Sequence, residues 1–341
     1  NHAASDTCAF CYYEYADMAK LTPPLADHLT ALDLVRQTLD NIIAGTNAYG
    51  MPARSRIHEF SADTIPSLLI AAEDCVDGSN DNGWLAANYS QLQSWTEKML
   101  ATDTNGDGLI KYALSGNSGS WPEKFVLRPA NWWDTIGFGY EDAYANALAY
   151  RALRGMEKLA VQMNRGDDEI RFRDAANKLK SNYFKTFYDP ATGILAGWRS
   201  ADGELHDYYF LWVNGIAIDY GLVPKDQANE IMARLLAKMK AVGYARFYLG
   251  LPGNLISVAR KDYVDLNPRW GGGIPNVQAG DWLTLQHYLI DSPAPTETSY
   301  IYWQANPTDV PAFGIIAVDR QDVPSTPVYL QTSLSPQACP Q

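Results

Sequence analysis

Apolar residues recur three and four positions apart through most of the chain. Residues with this spacing share one face of a helix, so each run predicts an amphipathic α-helix with a buried apolar face. The second run opens with Ser61 or Asp63 as an N-cap and has Pro66 in its first turn, as helix starts commonly do. The predicted helices cover residues 24–46, 61–76, 82–101, 140–163, 167–187, 207–222, 224–243 and 278–290.

The connections between these helices are alternately short and long, which predicts an all-α domain built of helical hairpins. The longest loops, residues 102–139 and 246–277, are rich in aromatic residues and glycine. Loops of this length inside a domain are usually functional. If the hairpins surround a ring, these loops collect on one rim and form one pocket. We therefore expect an N-terminal extension (1–24), a helical-hairpin barrel (25–291) and a Pro/Thr-rich C-terminal segment with strand-like runs (292–341), packed on the barrel.

Composition narrows the choice of partner. Hydrophobic residues make up 47% of the 341 residues and charged residues 19%, as expected of a folded globular protein. The net charge of -12 disfavours nucleic acid and anionic membrane surfaces, and no apolar stretch approaches the length of a membrane span. The 21 Tyr and 10 Trp provide flat faces for a ligand, or alternatively they fill a large helical core. A neutral small-molecule or polymer partner is therefore expected; the composition assigns no oligomeric state.

The four cysteines form no disulfide scaffold or zinc site. Cys8 and Cys11 are a lone CxxC pair, while Cys75 and Cys339 are distant in sequence, and a zinc site would need a second pair. A disulfide among them would favour an exported protein. We accordingly expect an extracellular or periplasmic location, with the cytoplasm as the alternative.

One acidic turn resembles the start of a calcium-binding loop. Asp103, Asn105 and Asp107 alternate before Gly108, but the twelfth position is Leu114, which cannot coordinate a cation. A full EF-hand is therefore rejected, and a turn held by its own Asx side chains is preferred to a partial calcium site. The five histidines show no HxxxH spacing, so no catalytic metal and no cofactor are expected.

The stretch "NWWDTIGFGYEDAYAN" (131–146) carries the strongest chemistry in the sequence. Asp134 follows two adjacent indoles in a loop. A carboxyl group packed against indole is partly desolvated, which raises its pKa and lets it hold a proton near neutral pH. Asp134 is therefore the candidate general acid; the alternative is that it caps a turn while the two tryptophans belong to the core.

Four segments together resemble the six-hairpin glycosidase superfamily, which includes glucoamylases, trehalases, processing α-glucosidases and α-L-rhamnosidases. They occur in order between about residues 50 and 290 and read "FSADTIPSLLIAA", "DTNGDGLIKY", "NWWDTIGFGYEDAYANALAYRAL" and "DYYFLWVNGIAIDYGLV". The resemblance implies an (α/α)6 barrel with a catalytic domain over 25–291. It also implies a glycoside hydrolase that acts, with inversion, on a neutral oligo- or polysaccharide.

The resemblance further implies a pair of carboxyl groups, one acid and one base, about 6.5–9.5 Å apart. It places the acid at Asp134. The base of such barrels comes from a late loop, but here that stretch, "RWGGGIPNVQAGDWLTLQHY", contains no Glu. Asp281 is the nearest substitute, and Glu141 and Asp142 are second choices.

Sugar-binding residues are expected from the early loop, from the two long loops and from the predicted helices 140–163, 207–222 and 278–290. Planar Arg and carboxylate groups suit vicinal hydroxyls, although the early loop could also be a capping cluster. The candidate substrate-binding residues are Arg56, His58, Asp63, Arg128, Trp132, Trp133, Tyr140, Asp207, Trp270 and Trp282.

Two other classes of function remain open. A polysaccharide lyase or a sugar epimerase could use the same barrel; an epimerase would face histidines toward each other, with His58, His206 and His287 as the candidates. A non-catalytic sugar-binding barrel that has lost its base is the third possibility, and the missing late Glu favours it.

Overall fold

The structure is a computed structural model, and it describes nearly two thirds of the chain. Side chains are described in residues 12–26, 29–46, 62–113, 130–132, 136–242, 253–256, 258 and 262. For residues 298–305, 312–319 and 328–330 the backbone is described. Among these residues, no helix is both long and apolar enough to cross a bilayer.

Helices form the body of the described chain. They are α1 (Tyr13–Leu21), α2 (Ala31–Ile43), α3 (Thr64–Ser79), α4 (Asn82–Leu100), α5 (Ala143–Gln162), α6 (Gly166–Phe187), α7 (Leu211–Asp219) and α8 (Lys225–Ala241). Six of them correspond to the runs predicted after residue 60, with shifts of a few residues at their ends. The all-α prediction is therefore confirmed, while the predicted helix 278–290 lies outside the described residues.

The helix predicted over 24–46 begins seven residues later than expected, at Ala31. Thr30 and Asp33 form a capping box: Asp33 N donates to Thr30 Oγ1 (3.2 Å), and Thr30 N donates to Asp33 Oδ2 (2.7 Å). Leu25 N instead bonds Leu29 O (2.9 Å), and both leucines are exposed. Apolar spacing alone extended the helix because it ignored this cap.

Sequence analysis missed α1, which lies in the segment assigned to the N-terminal extension. Its buried side consists of Ala16 and Ala19, whereas its large apolar residues Tyr15, Met18 and Leu21 are exposed. The large apolar side chains of α1 therefore face solvent and not the core, so the apolar spacing did not predict this helix.

Helix α5 is the centre of the fold, packed against α3 on one side and α6 on the other. Its first half is buried and rich in alanine, which lets neighbouring helices approach closely. Gly155 serves the same purpose, since a Cβ there would lie 3.2 Å from the Glu73 side chain. Helices α1, α2 and α4 pack around α3.

Short antiparallel strands lie in the connections between the helices. β1 (Glu141–Asp142) pairs antiparallel with β4 (Trp198–Arg199), and β4 pairs with β5 (Leu205–His206). β2 (Tyr188–Asp189) and β3 (Ile194–Leu195) form a separate hairpin. In the C-terminal segment, β6 (Thr298–Ala305), β7 (Ala312–Asp319) and β8 (Val328–Leu330) form an antiparallel sheet in that order. The extended strands predicted for this segment are thus present.

Two buried asparagines link helix starts to neighbouring connections in the same way. Asn146 Oδ1 accepts from Ile110 N (2.7 Å), and its Nδ2 donates to Ile110 O (3.0 Å). Asn214 does the same to Leu195 N (2.9 Å) and O (3.1 Å). Each amide also donates to the carbonyl four residues earlier, at Asp142 and Phe210. Each asparagine therefore attaches the start of its helix to an earlier part of the connection that leads into it.

Replacing Asn214 with Ala should lower the free energy of unfolding by about 2–4 kcal/mol, because the buried N–H and C=O of Leu195 lose their partners. Urea denaturation monitored by circular dichroism measures the change. Asn88→Ala is the control, since Asn88 makes one bond to Trp84 O on a partly exposed helix face, and it should change stability by less than about 1 kcal/mol. Equal effects of the two substitutions would refute the linking role.

Candidate functional site

The candidate site is the rim where helices α3, α5 and α7 begin, crossed by residues 130–132 and 136–142, here called the rim loop. Ala130 O accepts from Ala62 N (2.7 Å), and Ala130 N donates to Gly137 O (3.0 Å). Farther along, Tyr140 O accepts from Tyr112 N (2.9 Å). Backbone hydrogen bonds thus attach the first part of the rim loop to the start of α3 and its last part to the connection that follows α4.

Asp63, at the start of α3, holds the first part of the rim loop. Its side chain makes no capping bond to its own helix. Its Oδ2 instead accepts from Trp132 N (2.8 Å) and from Tyr12 Oη (3.0 Å), and the residue is buried. Tyr12 Oη also lies 2.8 Å from Tyr144 Oη. This carboxylate therefore joins α1, α3 and the rim loop at one atom.

Asp142, at the start of α5, holds the same loop from the other side. Its Oδ1 caps the helix by accepting from Tyr144 N (2.8 Å) and Ala145 N (3.2 Å), while Oδ2 accepts from Asn131 Nδ2 (2.8 Å). Burial raises the pKa of Asp142 to about 8, and the nearby charge of Asp63 acts in the same direction, although the three donors oppose it.

Glu141 points to a different cluster. Its carboxylate lies 3.6 Å from Lys111 Nζ, which also contacts Asp103 (3.1 Å) and Asp107. Burial raises the pKa of Glu141, and Lys111 counteracts this. The buried ammonium of Lys111 therefore ties Glu141 to the acidic turn.

The acidic turn is held by its own carboxylates. Asp103 accepts from Gly108 N (2.8 Å) and Asp107 N (3.1 Å), and Asp107 accepts from Asn105 Nδ2 (2.9 Å). Lys111 lies between Asp103 and Asp107, at the place where the calcium alternative would put a cation. Within the described part of the chain, no group of three or more metal-ligating side chains occurs.

Aromatic side chains form a wall beside Asp63. Trp132 is 41% exposed, and its ring lies 5.3 Å from that of Trp212 at the start of α7. Trp212 in turn lies 4.5 Å from Tyr144 and 5.4 Å from Phe138. Trp132 is thus supported by the core on one side and accessible to a ligand on the other. Tyr140 lies farther along the loop, 3.2 Å from the Thr104 hydroxyl.

Asp207 lies in another network. Its carboxylate accepts from Thr192 Oγ1 (2.5 Å) and Tyr209 N (2.7 Å), and burial raises its pKa to about 6. These bonds tie the connection before α7 to the β2–β3 turn.

A buried hydrogen-bond network around His206, which sequence analysis did not predict, contacts the rim loop through Asp262. His206 Nδ1 lies 2.9 Å from Asp262 Oδ2, and His206 Nε2 lies 2.9 Å from Ser200 Oγ. The ring stacks on Trp198 at 4.6 Å, and Asp262 O accepts from Gly137 N (3.0 Å). Residues 200, 206 and 262 are far apart in sequence and carry no common motif, so only the folded chain reveals them.

This network has the residue types of a nucleophilic triad but not its hydrogen-bond pattern. Ser200 Oγ donates to Asp202 Oδ1 (2.5 Å), so its proton is directed away from His206. All three triad-like residues are also buried. Their contacts position the β4–β5 hairpin and the rim loop.

The structure brings together three of the predicted site residues: Asp63, Trp132 and Asp142. Asp134 lies outside the described residues, two positions along the chain from both Trp132 and Ile136. The other candidates outside the described residues are Arg56, His58, Arg128, Trp133, Trp270, Asp281, Trp282 and His287. The predictions for these positions stay predictions. Tyr12, Asn131, Tyr144 and Trp212 were missed, because their contacts with the site join distant parts of the chain.

Comparison with known proteins identifies relatives of this fold. The family model described as the bacterial α-L-rhamnosidase six-hairpin glycosidase domain matches residues 35–254. The GH78 family rhamnosidase of Bacillus sp. GL1 matches with a TM-score of 0.46 and 14% identity, over 58% of this chain and 20% of that one. The rhamnosidase from Klebsiella oxytoca with rhamnose bound matches with a TM-score of 0.44 and 17% identity, over 60% and 38%. The matched regions span well under half of both structures, and no curated protein matches the sequence.

The pH dependence of stability should reveal the buried carboxyl group of Asp142. Its pKa rises from 3.8 to about 8 in the folded state, so the folded protein keeps this proton longer than the unfolded chain. The free energy of unfolding should therefore fall as the pH rises from about 4 to about 8, by up to about 1.4 kcal/mol per unit from this group.

Asp142→Asn should remove that part of the slope, because the amide does not ionise. Urea denaturation of both proteins at pH 5, 6, 7 and 8 measures the difference. The exposed Asp174→Asn, on α6, is the control and should keep the slope of the native protein. Parallel curves for Asp142→Asn and the native protein would contradict the raised pKa.

Proposed function

Because the chain belongs to the family of bacterial α-L-rhamnosidase six-hairpin glycosidase domains, we propose that it hydrolyses α-L-rhamnosides of neutral oligo- or polysaccharides. The family assignment gives the class of reaction, and the name of the family supports the choice of rhamnose as the sugar. The acidic chain agrees with it, since a net charge of -12 suits a neutral substrate better than an anionic polymer.

The observation that carries the proposal is the attachment of the rim loop around Asp134. On one side, Asn131 and Trp132 are held by Asp142 and Asp63. On the other side, Gly137 is held by Asp262. Catalytic groups must be placed within a fraction of an ångström, and loops that bear them are held by rigid helix ends. A loop fixed at both sides of an acidic residue has this property.

In the proposed reaction Asp134 donates its proton to the glycosidic oxygen as the bond from C1 to that oxygen breaks. A water molecule attacks C1 from the opposite face, and a carboxylate base accepts the proton of that water. The configuration at C1 is therefore inverted.

The described contacts help to rank the candidates for the base. Both oxygens of Asp142 accept hydrogen bonds that cap α5 and hold Asn131, so we assign Asp142 a positioning role. Glu141 lies beside Lys111, in the cluster of the acidic turn. Asp281 accordingly remains the proposed base, with Glu141 as the second candidate.

Trp132 is the proposed sugar platform. Rhamnose is a 6-deoxy sugar, so its ring carries a methyl group as well as apolar C–H faces, and such faces pack well on an indole. Trp132 offers an exposed ring that rests on Trp212.

Asp134→Asn should abolish turnover while leaving rhamnose binding nearly unchanged, because the amide keeps the shape of the side chain but cannot donate the acid proton. We expect a loss of kcat of about 100-fold or more. Release of rhamnose from a natural α-L-rhamnoside measures kcat, and proton NMR of early product reports the anomer. The p-nitrophenyl rhamnoside is tested in parallel, and its turnover should fall less because p-nitrophenol leaves with little protonation.

Asp174→Asn is the matched control, since it makes the same chemical change at an exposed position on α6. It should retain native kcat. Native turnover of the natural rhamnoside by Asp134→Asn would exclude this residue as the acid. A native protein that binds rhamnose without turnover would identify a non-catalytic sugar-binding barrel.

Trp132→Ala should weaken rhamnose binding about five- to tenfold, equivalent to about 1–1.4 kcal/mol of stacking energy. Isothermal titration calorimetry of Asp134→Asn, with and without the Trp132 substitution, measures it without interference from turnover. Trp84→Ala is the control because Trp84, at the start of α4, bonds Asp40 away from the rim loop. Unchanged affinity in the Trp132 variant would remove it from the site.

A further inference from the structure

Helix α1 precedes the region matched by the family model, which begins at residue 35, yet it reaches the candidate site. Tyr12, the N-cap residue of α1, donates its hydroxyl to Asp63 Oδ2 (3.0 Å) and contacts the hydroxyl of Tyr144 (2.8 Å). Tyr12, Asp63 and Tyr144 are all buried. A hydroxyl from outside the matched region thus lies in the hydrogen-bond network of the rim.

Charged side chains fix α1 in this place. Arg151 of α5 contacts Asp17 of α1 and lies 3.3 Å from Asp74 of α3. Lys20 of α1 donates to the same Asp74 (2.8 Å), which is fully buried. A buried carboxylate shared by two cations holds its partners firmly, since removing either cation leaves charge uncompensated. These ion pairs set the position of α1 on α3 and α5.

Asp63 connects α1 to the rim loop. Its Oδ2 atom accepts simultaneously from Tyr12 Oη (3.0 Å) and from Trp132 N (2.8 Å). Burial raises the pKa of Tyr12 well above its usual value, with Asp63 adding to the effect, so the hydroxyl keeps its proton and remains a donor. The orientation of the Asp63 carboxylate is therefore set in part by Tyr12, and it in turn sets the backbone at Trp132.

We propose that Tyr12 is a positioning residue of this site: acting through Asp63, it fixes the rim loop at Trp132, two residues before Asp134. Its effect on catalysis rests on the proposed function, whereas its effect on the Trp132 amide does not. Helix α1 is accordingly part of the functional unit, although the family model does not include it.

Tyr12→Phe tests this proposal, because it keeps the ring and removes the hydroxyl. We expect kcat for an α-L-rhamnoside to fall about tenfold, with KM changed less than about threefold, since small errors in the placement of a catalytic group mainly slow the chemical step. Hydrogen–deuterium exchange of the peptide that contains Trp132 should become faster by about tenfold, because the acceptor of its amide loses one of its restraints.

Tyr15→Phe is the matched control: it makes the same change on the same helix at a residue that is 53% exposed. It should leave kcat and the exchange of the Trp132 peptide at their native values. If Tyr12→Phe matches this control in both measurements, Tyr12 has only a packing role and the proposal fails.

Two further outcomes keep the tests separate. If the native protein shows no rhamnosidase activity, the proposed function fails, and the exchange of the Trp132 peptide alone decides the role of Tyr12. If Tyr12→Phe does not fold, Tyr144→Phe takes its place, because Tyr144 contributes the hydroxyl that bonds Tyr12. Faster exchange at Trp132 in that variant supports the proposal, and native exchange overturns it.

Discussion

A carboxylate buried away from water requires hydrogen-bond donors, and this requirement organises the rim. Asp63 and Asp142 lie at the starts of two neighbouring helices, where each takes donors from the rim loop. A buried carboxyl group without partners would cost on the order of several kcal/mol, and more if it is charged. Moving the loop away would therefore expose Asp63 and Asp142 to water or leave them without these donors. The cost of leaving Asp63 and Asp142 without these donors therefore holds Asn131 and Trp132 against the starts of α3 and α5.

The same principle recurs with neutral groups at the other helix starts. Asn146 and Asn214 both lie four residues after an N-cap, and both bond the N–H and C=O of a residue in a preceding connection. Ser67 holds the corresponding position after Asp63 in α3; its buried hydroxyl has no hydrogen-bond partner among the described residues. Helices α5 and α7 therefore use the same polar position to attach the connections that precede them, whereas Ser67 of α3 makes no such bond. The repetition is structural, since the side chains around it differ.

The sequence predicted the helices well where burial is one-sided, as along α4 and α6, and also where the helix is almost wholly buried, as in α3 and the first half of α5. The all-α six-hairpin class is confirmed by the family to which the chain belongs. The prediction failed at the first two helices. A capping box at Thr30 starts α2 later than the apolar spacing predicts, and α1 was not predicted because its buried residues are two alanines. For the site, Asp63, Trp132 and Asp142 were recognisable as aromatic and acidic residues in loops. Tyr12 and Asp262 were not, because their roles come from contacts across the fold.

The hydrogen bonds of Asn146, Asn214 and Tyr12 join residues at very different separations along the chain, and this affects the order in which parts of the molecule unfold. The Asn214–Leu195 and Asn146–Ile110 links close segments of 19 and 36 residues, whereas the Tyr12–Tyr144 contact spans 132. Closing a longer segment costs more chain entropy, so each contact of α1 adds less net stability than each contact within a hairpin does. Helix α1 is held by a small apolar face and by the ion pairs of Asp17 and Lys20, so we expect it to detach as a unit, once those ion pairs are lost, before the hairpins unfold. The hairpins can therefore stay folded while the network at Tyr12 comes apart, and helix content alone is a poor measure of an intact site.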